Sequence, residues 1–231
     1  TAFEIGDWIA KPTGVSASTV TRVDLSSDGE AISYYTPRMS GFQVGATYHP
    51  SSQEDLGTRS LKSAGDHEGF SFGTNYVTKM DNANIAVAAG YATTNGTGAN
   101  SDPDVWGVAT KISFNGITVA ASWVEKDDRT NNVTGVTTVA GSEALELGAK
   151  YTFGANGVSV NYLESESTTN STVSKGDNTD VLAFAYRRIL GPGVSFSLTA
   201  FFADFNDGAT GALAGTSNDG QALVSGLKVK F

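Results

Sequence analysis

The sequence predicts an all-β fold, an antiparallel transmembrane β-barrel, on two observations. Apolar and polar residues alternate along about eleven segments, and almost every apolar face ends in Tyr, Phe or Trp. The connections alternate too, because five short turns of about two to five residues are interspersed with five polar loops of about twelve to nineteen. Each strand is therefore expected to face lipid on one side and a water-filled interior on the other.

The final segment, residues 220–231, shows the pattern most clearly. Strand side chains point alternately to the two faces of a sheet, so Leu227 and Phe231 share one face while Lys228 and Lys230 share the other. A soluble sheet could place lysines in water once, but this chain repeats the arrangement along its length. The repetition favours a barrel wall with lipid outside and water inside.

Composition limits the classes of protein to which the chain can belong. Its net charge is −9, it has no cysteine, and its mean hydropathy is −0.15. No run approaches the roughly 18–20 apolar residues of a membrane helix, but a barrel strand shows lipid only every second residue and needs no such run. The lack of cysteine excludes disulfides and thiolate metal sites. The acidic charge, without a basic patch, argues against nucleic acid as a partner.

The strands follow one another after a first segment, residues 1–28, that fits the alternation worst. We interpret this segment as irregular; the alternative is a smaller barrel in which it supplies a twelfth strand. Regular alternation starts at Glu30. The apolar faces of the successive strands are formed by Ile32 and Tyr34; Phe42, Val44 and Tyr48; Phe70, Phe72 and Tyr76; Ile85, Val87 and Tyr91; Trp106, Val108 and Phe114; Ile117, Val119 and Trp123; Leu145, Leu147 and Tyr151; Val158, Val160 and Tyr162; Leu182, Phe184 and Tyr186; Phe196, Leu198 and Phe202; and Leu223 and Leu227.

The connections support the same topology. Asn115-Gly116 is the strongest short hairpin signal, because both central residues of a type I′ turn need positive φ. Short turns at one end and long loops at the other are expected of a barrel in the outer membrane of a Gram-negative bacterium. Aromatic residues at the strand ends fit the interfacial girdles. The long loops are predicted over residues 50–68, 93–104, 125–141, 164–178 and 204–219.

A soluble antiparallel sandwich also alternates and is the alternative fold. Against it, the predicted inward positions are small or polar, as at Gly45, Gly73, Asn75 and Asn161, and would not fill a core. The charged residues that alternation places inward, and that are candidates for lining a pore, are Lys111, Glu146, Lys150, Arg187, Lys228 and Lys230.

Several stretches resemble a known family. The hairpin SYYTPRMSGFQVGATYHP at residues 33–50, the hairpin GAKYTFGANGVSVNY at residues 148–162 and the terminal KVKF are similar to the general bacterial porins, particularly those of alphaproteobacteria. The resemblance covers roughly residues 30–231. It implies a sixteen-stranded trimeric barrel, in which the third extracellular loop, between the fifth and sixth strands, folds inward to narrow the pore.

The resemblance also implies a division of the chain. Counted back from the C-terminus, the strands correspond to the sixth through sixteenth of the family. Residues 1–28 then fall where the constriction loop belongs, and residues 29–231 form barrel strands with short periplasmic turns and long extracellular loops. Because an open sheet in lipid would have unpaired edges, we expect the chain to be the C-terminal part of a longer protein.

The function implied by the resemblance is passive diffusion of small hydrophilic solutes and ions. Acids on the inward loop of such porins face bases across the pore, and fixed charges set ion preference. Glu4, Asp7 and Asp24 are the candidates for the acidic side. The acidic loops favour a weak cation preference, but charges on the absent strands leave its sign open. The alternative function is a plugged structural or adhesive barrel without transport.

The expected partners are the lipid bilayer, lipopolysaccharide, other copies of the chain in a homotrimer, and the transported solutes. No catalysis is expected, because His49 and His67 accompany no nucleophile motif. No cofactor or metal site is expected either, apart from Ca²⁺ at the acidic loops, whose spacing does not match an EF-hand.

Overall fold

The structure is a computed structural model that describes residues 5, 8–12, 14–25, 30–51, 66–96, 100–130, 132–134, 137–167, 176–208 and 217–230. The strands within these ranges are β1 (Ile32–Tyr35), β2 (Phe42–Ser51), β3 (His67–Met80), β4 (Ala83–Asn95), β5 (Asp104–Phe114), β6 (Ile117–Lys126), β7 (Arg129–Thr130), β8 (Thr137–Val139), β9 (Ser142–Phe153), β10 (Asn156–Ser167), β11 (Asn178–Gly191), β12 (Val194–Asn206) and β13 (Asn218–Val229).

Eleven of these strands form one antiparallel meander. Each pairs with the next along the chain, in the order β1 to β6 and then β9 to β13, while β7 and β8 pair separately. The outermost strands, β1 and β13, do not pair with each other, so the sheet is not closed in the part of the chain that the structure describes. The same part contains no helix long and apolar enough to cross a membrane. The predicted antiparallel all-β fold is confirmed.

The two faces of the sheet differ as the alternation predicts. The face carrying Phe72, Val119 and Leu147 is open, with relative exposures of 51%, 45% and 45%, and we call it the outer face. The opposite, inner face carries glycine, serine and charged residues, and the buried hydrophobic clusters of the described chain lie on it. A soluble sandwich would bury the large apolar side chains of the outer face, so lipid is the medium that suits them.

Aromatic residues form two belts on the outer face. Near the loop ends Trp106 contacts Trp123, with ring centroids 4.6 Å apart, and near the turns Tyr151 stacks on Phe153 at 5.4 Å. On β5 the belts are marked by Trp106 and Phe114, which lie about 26 Å apart along the strand. This separation is comparable to the apolar band of outer-membrane barrels, about 25 Å tall.

The hairpin turn predicted at Asn115-Gly116 is confirmed. Asn115 has φ 47° and Gly116 has φ 82°, the positive values that a type I′ turn requires. The next strand packs against this turn, because the Thr152 backbone N–H donates to the Gly116 carbonyl at 2.8 Å. A Cβ at Gly116 would lie only 2.6 Å from the Thr152 carbonyl oxygen.

Replacing Gly116 by alanine is therefore expected to lower the free energy of unfolding by about 1–3 kcal/mol, because the left-handed backbone is strained for an L-residue and the new Cβ must displace a neighbouring carbonyl. Gly191→Ala is the matched control, since Gly191 lacks a positive φ and has no atom within 4 Å of an added Cβ. Urea unfolding of the full-length protein measures both changes. Equal losses for the two variants would contradict this reading of the turn.

The strands extend further into the predicted loops than the apolar pattern indicates. β10 continues to Ser167 and β12 to Asn206, beyond the predicted loop starts at 164 and 204. Above the lipid both faces of a strand meet water, so polar residues continue the ladder and the apolar signal ends early. The alternative twelfth strand is wrong for the described part of residues 1–28, which lies outside the sheet.

Candidate functional site

An irregular segment crosses the inner face of the sheet, and we call its described residues between 5 and 25 the strap. One end packs on the inner faces of β12 and β13, where Ile9 and Val15 join Phe201 and Val224 in a buried cluster. The other end packs on β4, β5, β6 and β9. That second cluster consists of Val23, Leu25, Ala92, Val105, Val124 and Ala144. The strap therefore runs along the inside of the wall, from β13 towards β4.

Polar contacts hold the strap along this path. Each joins a strap atom to a wall atom, and an irregular segment needs such partners because no strand ladder satisfies its backbone N–H groups. In order from the β13 end, they are Asn218 Nδ2 to the Ala10 carbonyl (2.7 Å), Ser16 N to Asp177 Oδ2 (2.7 Å), Ser18 N to Ser165 Oγ (2.7 Å) and Thr21 Oγ1 with Ser122 Oγ (2.7 Å).

Glycines in the wall allow the strap to approach closely. A Cβ added at Gly107 would lie 3.0 Å from Val23 Cγ2, and one added at Gly220 would lie 2.9 Å from Ile9 Cγ2. Both glycines are near the loop ends of their strands. At these points the strap occupies the space that wall side chains would fill, and it reduces the free cross-section of the interior on the loop side.

Lys11 is the partly buried cation of the strap. Its Nζ donates to the Ala17 carbonyl at 2.5 Å, so the strap folds back on itself around the ammonium group. Burial lowers the pKa of Lys11, and the negative charge of nearby Asp177 opposes that shift.

Of the three acids predicted for the constriction, Asp24 lies within the described residues. Glu4 and Asp7 lie outside the described residues. Asp24 forms a salt bridge with Arg22 at 3.3 Å, and the Arg22 side chain is 72% exposed. The exposed cation of the strap therefore offsets the negative charge of Asp24.

Glu146, the predicted inward acid, lies on the inner face of β9. Its two carboxylate oxygens accept hydrogen bonds from Thr21 Oγ1 and Asn161 Nδ2, each at 3.2 Å. Glu146 thus joins the strap to the wall, a contact that its position in the sequence does not indicate.

The five predicted wall cations share one environment on the inner face. Arg187 donates to Ser195 Oγ at 3.3 Å, and none of the five forms a salt bridge with another described residue. Their charges are therefore not neutralised within that part of the chain. The cross-strand partners are small: Ala86 and Ala120 for Lys111, Thr118 and Ser159 for Lys150, Gly157 and Ser197 for Arg187, Ser195 for Lys228 and, through a backbone hydrogen bond, Gly193 for Lys230.

Three further cations of the inner face were missed by the sequence analysis: Lys79, Lys126 and Arg38. Lys126 pairs with Val105 and Ser142 across the ladder. Strand alternation places the Lys79 side chain on the inner face, where it pairs with Asn84. The rule that identified the other wall cations would therefore have identified Lys79 as well. Arg38 lies in a turn, where alternation gives no signal. Its guanidinium donates to Gln43 Oε1 at 3.1 Å and to Asn75 Oδ1 at 2.6 Å, both on the inner face.

A row of carboxylates lies on the outer face, near the loop ends of the last four strands. Tyr162 donates its hydroxyl to one of them, Asp180, at 2.7 Å. Carboxylates directly opposite each other repel, so a cation bound along the row would lower its electrostatic energy. No group of three or more potential ligands in the described ranges is arranged to hold a metal ion. The row consists of Glu164, Asp180, Asp204 and Asp219, each opposite the next across the ladder.

A family profile described as Gram-negative porin matches residues 1–210 of the chain. A comparison with curated proteins finds no match.

Solved structures similar to this chain are outer-membrane proteins. The anion-selective porin from Comamonas acidovorans has a TM-score of 0.60 at 15% identity, over 97% of this chain and 66% of its own. OmpF of Salmonella typhi, in complex with daunomycin, has 0.61 at 15%, over 85% and 61%. OccAB2 of Acinetobacter baumannii has 0.62 at 10%, over 87% and 55%. The chain thus spans between about half and two thirds of these proteins, and at such identities the likeness shows the fold.

Proposed function

The chain belongs to the Gram-negative porin family, and on this premise we propose that the whole protein is a passive diffusion channel of the outer membrane for small hydrophilic solutes and ions. The observation that carries the proposal is the strap, which lies across the inner face of a wall whose outer face is apolar. Residues 1–28 act as the constriction and residues 29–231 as the barrel wall. Diffusion down a gradient needs no catalytic turnover, so we assign no enzymatic step.

Size exclusion follows from the position of the strap. It narrows the interior on the loop side, where solutes enter from the medium, and it is held by contacts to β6, β10, β13 and the start of β11. A solute must pass between the strap and the part of the wall that the strap leaves open. Beyond it, towards the short turns, the bore is lined by small residues and wall cations.

Charge sorting follows from the wall cations, and here we propose a preference for anions. Lys111, Lys150 and Arg187 have no described carboxylate partner, whereas Asp24 is paired with Arg22 and Glu146, hydrogen-bonded to neutral groups, leaves one negative charge against these three cations. Fixed charges of one sign in a narrow bore attract counter-ions. We propose this in place of the weak cation preference expected from the acidic loops; of those loop acids, Asp204 lies in a strand on the outer face, away from the bore. The selectivity named for the Comamonas porin supports this direction.

The row of outer carboxylates supports lipopolysaccharide as a partner. It lies at the loop ends of β10 to β13, above the aromatic belt that includes Tyr162 and Phe202. Because these acids do not form a metal site by themselves, divalent cations such as Ca²⁺ would complete their coordination with phosphate oxygens of the lipid. We propose a homotrimer from the family resemblance.

A plugged barrel is the second candidate, because the strap that narrows a bore could also fill it. Single-channel recording on the full-length protein in a planar bilayer distinguishes the two. The channel is expected to give stable open steps, with a reversal potential in a KCl gradient that indicates anion preference. A protein that inserts but passes no current would overturn the channel function, and cation preference would overturn the charge assignment alone.

A further inference from the structure

We propose that Asp177 is a positioning residue, which latches the strap and the loop after β12 together inside the bore. The inference rests on the channel function proposed above and deepens it. Asp177 lies immediately before β11, and it is buried with 9% exposure. Its carboxylate bonds two segments that the strand ladder does not connect.

Three distant parts of the chain meet at Asp177. Oδ2 accepts the backbone N–H of Ser16 at 2.7 Å, and Oδ1 accepts that of Gly208 at 2.9 Å. The backbone of Asp177 is itself held, because its N–H donates to Ser167 Oγ and its carbonyl accepts the Ser167 N–H, both at 2.9 Å. Asp177 is therefore anchored to the end of β10, and its carboxylate bonds the strap and Gly208, after β12, on the inner side of the wall.

A carboxylate suits this position better than a neutral side chain. A buried charge is stable only where hydrogen bonds replace water, and a carboxylate can accept from two donors at once. Hydrogen bonds to a charged acceptor are about twice as strong as neutral ones. Lys11, on the strap, adds an attractive charge nearby. The two bonds of Asp177 thus hold the strap where its apolar contacts to Phe201 and Phe205 are made.

Asp177→Asn tests the latch with little change in volume. The amide has one acceptor oxygen, so the Ser16 and Gly208 N–H groups can no longer both be satisfied by a charged acceptor. Removing such bonds shifts the equilibrium between latched and released strap by about tenfold or more. The matched control is Asp81→Asn, which makes the same substitution at an exposed position in the short turn between β3 and β4, at the end of the sheet away from the strap.

The first readout is chemical labelling, which needs no conduction. The chain has no cysteine, so Ala17→Cys places a single thiol on the strap at a position with 0% exposure, and Val20→Cys places one at 51% exposure. Asp177→Asn in the full-length protein is expected to accelerate maleimide labelling at 17 by about tenfold. Labelling at 20 should stay unchanged, and Asp81→Asn should leave both rates unchanged.

The second readout is permeation of neutral sugars of increasing size into liposomes. In Asp177→Asn, the permeation rate of large sugars, divided by that of the smallest sugar, should rise. In the control variant this ratio should stay at the wild-type value for every sugar. If Asp177→Asn left both the maleimide labelling rate at position 17 and the size limit for sugars unchanged, the latch would be overturned. Failure of the channel itself would appear separately, as no permeation and no current in the wild-type protein, and would remove the role of the latch in permeation whatever the labelling shows.

Discussion

Replacing Val108 by arginine is expected to destabilise the full-length protein in a bilayer by about 2–4 kcal/mol, the cost of a cation at the lipid face near the bilayer midplane. Val108 lies on the outer face in the middle part of β5 and is 46% exposed. Ala109 is its neighbour on the inner face, where it pairs with Ala88 and Ser122. Arginine at 109 would project into water and should cost far less.

The measurement is reversible urea unfolding from lipid vesicles, with Ala109→Arg as the matched control. Both variants introduce an arginine at adjacent residues of one strand, so the β-propensity of arginine and the change in net charge are the same for both. They differ in the face of the sheet from which the arginine projects. An Ala109 variant that is less stable than the Val108 variant would show that the sheet has been assigned inside out, and the channel function would fail with it.

The strand order was predictable because each face is decided by local alternation. Trp106, Val108 and Phe114 define the outer face of β5 without reference to any other strand, and the Asn115-Gly116 turn directs the chain straight back into β6. Because each strand of this meander pairs with the next along the chain, its order needs no long-range information. Strand ends were less predictable, since above the lipid Glu164 and Asp204 continue their ladders with polar residues on the outer face.

The strap and its contacts were not predictable in the same way. Residues 16 and 177 are separated by 161 positions, and the strap has no periodicity that would point to a partner. Asp177 lies at the end of a polar loop, where an acid is expected to face water or to bond the backbone close to it in sequence, not a segment far along the chain. Strand alternation in the sequence placed Glu146 on the inner face. It could not show that the Thr21 hydroxyl of the strap would donate a hydrogen bond to the Glu146 carboxylate.

Charge reversal at Arg187 is expected to shift the ratio of anion to cation permeability by about fivefold or more towards cations. A unit charge about 4 Å from the path of an ion in water is worth about 1 kcal/mol, and Arg187→Glu changes the charge by two units. Arg187 lies on the inner face, with Gly157 and Ser197 as cross-strand partners, so no neighbouring side chain shields it from the bore.

The next residue provides the control. Arg188 pairs with Asn156 and Phe196, so its side chain projects from the outer face near the turn end of β11, where a long cation can extend to the lipid interface. Arg188→Glu changes the net charge equally and should leave the reversal potential unchanged. A permeating ion senses fixed charge only within about a Debye length in salt, and the wall itself separates the two faces. Equal shifts from both variants would mean that net charge alone, without a cationic bore, accounts for the ion preference.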